Sequence, residues 1–219
     1  MCRSGKRDIT HHFDGLFLAV DEQNPGDGCF VFLRSDLCAS DEVLSIKGYD
    51  GFRKGKINVI LATLHTGEQF LLASAHGNST NAADGRMQIA HIMEVFHKLR
   101  QERGYDSLQL LIGMDANTKT ESDVTALHDH LDNLGLVGTR VGLTTVKRRM
   151  VTVQHSKAGK LSVDEEDYLI TLRPEDDGQY LLTNPTVGFS QGSSSPTRML
   201  PDVDNPSDHY PVGATLKAF

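Results

Sequence analysis

Leu108-Gln109-Leu110-Leu111-Ile112-Gly113-Met114-Asp115-Ala116-Asn117 is the stretch on which the reading of this chain turns. An almost wholly apolar run stops at a glycine, and a carboxylate and a carboxamide follow, one residue apart. So little polar character predicts a strand buried on both faces. At its C-terminal edge Asp115 and Asn117 share one side, where the ligand sites of α/β sheets gather. Taken alone, the pair serves equally well as turn and helix N-cap residues.

On the N-terminal side, Ile57–Leu64 and Phe70–Ala75 are two further apolar runs, and Thr66-Gly67-Glu68 between them has the size and residues of a hairpin loop. Cys29–Leu33 follows a Gly-rich turn and reads as another strand. From Met87, apolar residues recur at Ile89, Ile92, Met93, Phe96 and Leu99, with Gly104 as a stop, which predicts a long amphipathic helix. A second helix is expected from Glu121 to Leu134, ended by Gly135. Asp167–Thr171 and Pro211–Leu216 are strand-like, and 188–205, rich in Gly, Ser and Pro, reads as a long loop. Strands, helices and hairpins mixed in this way predict an α/β or α+β class with a mixed sheet.

The 219 residues suit one large domain, here 13–219 after a short tail at 1–12. The formal charge of −7 excludes a uniformly basic nucleic-acid coat but not a local basic patch. The apolar run from Gly15 to Val20 is too short to span a membrane or form a signal core. The three cysteines lack Cys-x-x-Cys spacing, so neither a disulfide framework nor a zinc site is expected, and an intracellular location (cytoplasmic or nuclear) follows.

Three other places carry groups fit for chemistry. His76 ends the apolar run from Phe70, Asp167 begins a buried-looking strand, and Ser207-Asp208-His209 leads the last one. Imidazole is the natural acid, base or electrostatic partner near neutral pH, and a carboxylate is a hard oxygen ligand. Singly, each is more often a turn or surface residue. Arg86 and Gln88 at the helix entrance read as exposed helix-face residues, with substrate contact as the alternative, and His128 and His130 read as surface residues.

Taken in order, these elements resemble the endonuclease/exonuclease/phosphatase superfamily: a strand ending in His76, an amphipathic helix, Gly113-Met114-Asp115-Ala116-Asn117, Asp167-Tyr168-Leu169-Ile170 and Ser207-Asp208-His209-Tyr210-Pro211-Val212. Asp27-Gly28-Cys29-Phe30-Val31-Phe32 looks like the strand of its deadenylase and nocturnin-like branch. The resemblance implies a four-layer α/β/β/α sandwich with mixed sheets. It further implies hydrolysis of phosphate esters with Mg²⁺ or Mn²⁺, most plausibly as a nuclease acting on RNA or DNA.

Carried over, Asp115 would orient or deprotonate the attacking water, and Asn117 would hold a phosphate oxygen and that water. His209 would face the phosphate with Asp167 behind it. His76 would donate to a non-bridging oxygen, and Asp208 would help bind the metal. The family's opening strands, with their metal-binding Asn and the Glu of a Gln-Glu motif, would fall before about Phe13, and Asp21-Glu22-Gln23 is not that motif. The expectation is therefore a domain incomplete at its N-terminus. A degenerate binding module and a small-molecule or lipid phosphoesterase are the rival readings.

Between Arg140 and Lys160 lie six Lys or Arg and no acid. Lys147, Arg148 and Arg149 form its densest part, and its place between two proposed catalytic strands makes it a candidate phosphate-backbone patch.

Overall fold

The computed structural model describes residues 16–19, 29, 31–34, 36–44, 56–140, 145–148, 161–187 and 212–218 (the backbone alone for 16–19, 32, 43, 145–148 and 161–164). Its centre is β4 (Ile57–Leu64), whose first six residues are all buried, and β5 (Gln69–His76), joined by a tight turn. Gly67 takes a φ of +98° there, a conformation that costs glycine nothing. Helix α1 (Ala83–Arg103) crosses the sheet and returns the chain to β6 (Gln109–Asp115), which lies parallel to β5.

Both helix ends are written locally. The Asn81 side chain accepts from the Ala83 N–H at the start of α1, and Gly104 ends it in the left-handed region. Helix α2 (Glu121–Asn133) opens on Thr120, whose hydroxyl accepts from the Asp123 N–H at 3.1 Å.

Six strands form the main sheet, in the order β3 (Cys38–Val43), β4, β5, β6, β10 (Asp167–Leu172), β7 (Leu136–Gly138). The β5–β6 pair is parallel and the remaining pairs are antiparallel, so the sheet is mixed as expected. Side chains alternate between its faces. Ile57, Val59, Leu71, Ala73, Leu110, Ile112 and Ile170 face α1 and α2 in the larger core. Ile60, Ala62, Phe70 and Leu72 form a second core on the other face, with Val31 and Leu33 of β2 (Val31–Arg34), Tyr180 of β11 (Tyr180–Val187) and Leu216 of β12 (Val212–Ala218) packed against them. β11 pairs with β12, β2 with β1 (Leu16–Ala19), and β8 (Thr145–Arg148) with β9 (Leu161–Asp164). A helix layer, a mixed sheet and a second layer of strands are thus present, which is the α/β class expected.

Several elements differ from the expectation. Helix α1 begins at Ala83 rather than Met87, because its first turn is held by hydrogen bonds and not by apolar periodicity. His128 and His130 are half-buried rather than surface residues. The His128 ring meets Tyr168 edge-on at 6.0 Å, and His130 Nε2 lies 3.0 Å from the Arg86 carbonyl. Burial holds both imidazoles below the ordinary histidine range. The unfolded chain therefore binds protons at these rings more tightly, and stability falls as pH drops through about 6.5. The tail at 1–12 and the loop at 188–205 lie outside the described residues, and no helix among the described residues is long and apolar enough to cross a membrane.

Ile112 sits in the strand shared by both halves of the main sheet and is fully buried. Ile112→Ala should lower unfolding free energy in urea by about 2–5 kcal/mol. A loss under about 0.5 kcal/mol would mean that this strand is not the packed centre described.

Candidate active site

One line of side chains crosses the end of the main sheet. His76 pairs in register with Asp115, and Asp115 with Asp167. On the other side the His76 N–H donates to the Lys56 carbonyl at 2.9 Å, one step beyond the Ile57–Ala75 pair. Residues opposite one another in a sheet point to the same face. Lys56, His76, Asp115 and Asp167 therefore share the face that also carries Phe70, Leu72 and the second core.

Distances within the line are short. His76 Nε2 is 3.6 Å from Asp115 Oδ2, and Lys56 Nζ is 3.4 Å from His76 Nδ1. Asp115 Oδ1 accepts from the Asn117 backbone N–H at 2.8 Å, closing a turn immediately after β6. Asn117 has a φ of 53°, which Asn adopts more readily than most residues. Its side-chain Nδ2 donates to the Gly77 carbonyl at 3.1 Å, so the residue after β6 is tied to the residue after β5. Asn117 is buried, whereas His76 is partly open, its side chain 39% exposed against 17% for Asp115.

Supporting contacts hold this edge from both sides. The Gly77 N–H donates to the Asp115 carbonyl, and the Ala116 N–H to the Glu166 carbonyl, both at 2.7 Å. A Cβ on Gly77 would stand 3.0 Å from the Ala116 carbonyl oxygen, so the close approach of the two strand ends requires glycine. Below Asp115, the hydroxyls of Thr118 and Tyr168 are 2.8 Å apart, and Thr118 also donates to the Glu165 carbonyl. This pins the loop bearing Asn117 to the strand bearing Asp167. Burial pushes the Tyr168 phenol up, so it remains a neutral hydroxyl.

Gln88 is buried, not exposed as its helical position implied. Its Nε2 donates to the His76 carbonyl at 2.9 Å and to Asp84 Oδ2 at 3.0 Å. It therefore fastens α1 to the end of β5, while Arg86 stays at intermediate exposure.

Lys56 and the hydroxyl pair were not legible in the sequence, since a lysine leading a strand carries no motif and only the hairpin register brings it to His76. Of the other expected residues, Asp208, His209 and Arg149 lie outside the described residues. Lys147 and Arg148 lie on β8, described as backbone only.

Around the line the donors are carboxylate and amide oxygens. Cys29 adds no thiolate: its Sγ donates to the Lys56 carbonyl at 3.2 Å, and burial pushes its pKa up to about 11. Oxygen donors without thiolates suit a hard cation such as Mg²⁺ or Mn²⁺. Among the described residues no group of three His, Cys, Asp or Glu closes a metal cage. With an ordinary thiol at 9.0, Cys29 should hold about 100-fold less thiolate at pH 8 than a free cysteine. Peptide mapping after brief iodoacetamide treatment should find it far behind free cysteine; equal labelling would show an open, ordinary thiol.

No protein-family model matches the chain, and no curated protein matches it in sequence. Solved structures do share its fold. TDP2 of D. rerio, complexed with a single-strand DNA product, superimposes with a TM-score of 0.58 at 13% identity, over 98% of this chain and 82% of that one. An endonuclease/exonuclease/phosphatase from Bacteroides vulgatus gives 0.59 at 12% identity, over 98% and 80%. The mannosyl-6-phosphatase Bt3783 of Bacteroides thetaiotaomicron gives 0.54 at 16% identity, over 96% and 80%. With its mixed sheet, its helix layer and a polar line at the ends of β5 and β6, the chain has the fold of the endonuclease/exonuclease/phosphatase superfamily.

Proposed function

We propose that the chain is a divalent-metal-dependent phosphoesterase that cleaves phosphodiester bonds in RNA or DNA. The observation that carries this reading is the register that sets His76, Asp115 and Asp167 side by side, with Asn117 turned back over Asp115. Phosphoryl chemistry needs positioned donors, an oriented water and stabilised charge, all of which these side chain types supply. The likeness in fold to a TDP2 complexed with single-strand DNA product supports a nucleic-acid substrate.

The roles proposed for His76, Asp115 and Asn117 are supported by their contacts, and those for Asp167, His209 and Asp208 rest on the family resemblance. Asp115 Oδ1 is held by the Asn117 N–H, and Oδ2, on the His76 side, would orient or deprotonate a water. One N–H of the Asn117 amide is engaged by Gly77. Its second N–H suits a phosphate oxygen, and its carbonyl suits the water. His76 Nε2, partly open beside Asp115, would donate to a non-bridging oxygen. Asp167 would accept from His209, which would face the phosphate, and Asp208 would hold the cation. A bound Mg²⁺ or Mn²⁺ would supply Lewis acidity and neutralise developing charge.

A sugar phosphomonoester is the second reading, supported by the likeness in fold to mannosyl-6-phosphatase over 96% of this chain. Cleavage of single-stranded RNA, single-stranded DNA and a hexose 6-phosphate, each with Mg²⁺ and with chelator, separates the two.

Asp115→Ala and His209→Ala should each lower metal-dependent phosphodiester cleavage by at least about 100-fold while thermal unfolding changes little. Full turnover in either folded variant would remove that residue from the reaction. Neutralising Lys147, Arg148 and Arg149 together should weaken nucleic-acid binding and lower the slope of log affinity against log salt by up to about 3. An unchanged slope would return the run to an ordinary solvated surface.

A further inference from the structure

We propose that Lys56 is a positioning residue that holds the His76 imidazole as its neutral Nε2–H tautomer. The register brings the two side chains together. The His76 N–H donates to the Lys56 carbonyl at 2.9 Å, which puts both side chains on one face, and Lys56 Nζ then lies 3.4 Å from His76 Nδ1.

An ammonium has three donors and no lone pair, so the only attractive contact it makes with a ring nitrogen is donation into that nitrogen's lone pair. Nδ1 is therefore the acceptor, and in a neutral ring the proton is on Nε2. A doubly protonated ring would set an N–H against an N–H and two positive charges against each other at that distance, an arrangement opposed by both hydrogen bonding and Coulomb repulsion.

The opposite edge of the ring is consistent with this assignment. Nε2 faces Asp115 Oδ2 at 3.6 Å, and an N–H there meets a carboxylate where a bare lone pair would meet a like charge. Among the described residues, the charged groups along the line include Lys56 on one flank and Asp115, then Asp167, on the other. The Cys29 thiol, bonded to the Lys56 carbonyl, stays protonated. The backbone at His76 is already fixed by Gln88 through the His76 carbonyl and by Gly77 through Asp115. Within the described residues, Lys56 is in contact with Nδ1, the nitrogen whose lone pair or proton distinguishes the two tautomers.

The consequence for chemistry rests on the phosphoesterase reading above. His76 would act as an N–H donor and not as a base at Nε2, and Lys56 would act through it without touching the substrate.

The tautomer can be read without any substrate, so the proposal and the phosphoesterase reading fail separately. Long-range ¹⁵N–¹H spectra of the histidine rings at neutral pH, with His76 assigned by loss of its signals in His76→Asn, should show Nδ1 as the unprotonated nitrogen and Nε2 as the protonated one. Lys56→Met should move the ring towards an averaged tautomer mixture, and Lys56→Arg should keep the wild-type pattern. With a nucleic-acid substrate, Lys56→Met should lower kcat by about 10-fold with KM changed less than twofold, and Lys56→Arg should recover most of it.

An Nδ1–H or doubly protonated ring in the wild-type protein overturns the proposal even if every variant misfolds. An unchanged ring spectrum in folded Lys56→Met also overturns it. The expected spectra in a chain that cleaves no phosphate ester would uphold the tautomer assignment and sink the phosphoesterase reading instead.

Discussion

The parallel pairing of β5 with β6, continued by antiparallel β10, is the constraint on which the site depends. Strand side chains alternate with a period of two, so a slip of one residue in either pairing would send His76, Asp115 or Asp167 to the helix-covered face. That slip is blocked by packing. Leu71, Ala73, Leu110, Ile112 and Ile170 would have to leave the larger core and present themselves to the second layer. The same apolar pattern that builds the core thereby holds the polar line in register.

Next to this constraint come the contacts that close the sheet edge. Gly77 lets two strand ends approach within a backbone hydrogen bond of each other, and Asn117 reaches back to the Gly77 carbonyl. Thr118 and Tyr168 join the loop after β6 to the start of β10, and Gln88 joins α1 to the end of β5. A net hydrogen bond contributes only about 0.5–1.5 kcal/mol, so the main effect of these contacts is to fix positions. Along the line Lys56 and His76 are followed by two carboxylates, Asp115 and Asp167. The solved structures that share the fold include a protein complexed with a single-strand DNA product and a mannosyl-6-phosphatase, so the fold by itself does not choose a substrate.

Much of the architecture was legible because it rests on local physics. The strands β4, β5, β6 and β10 are dense apolar runs, and the two helices are periodic stripes ended by Gly104 and Gly135. The missed elements lack such marks. β3, Cys-Ala-Ser-Asp-Glu-Val, is an edge strand whose exposed polar residues match the pattern of a loop. β11 contains Asn184-Pro185 at a register irregularity, with Asn184 at a φ of 50°, so its sequence reads as a break in a strand. Both form because a neighbouring strand offers them a ladder.

The α/β class, the central strands, and His76, Asp115, Asn117 and Asp167 as residues at strand ends are all readable from the chain, because hydrophobic periodicity and turn chemistry act over a few residues. It takes the folded sheet to show that His76, Asp115 and Asp167 form one line, that Gln88 is a buried tie and not a surface group, and that Lys56 stands against His76. Those relations join residues up to 91 positions apart in the chain (76 to 167), and strand pairing, not local propensity, is what brings them within a few ångströms.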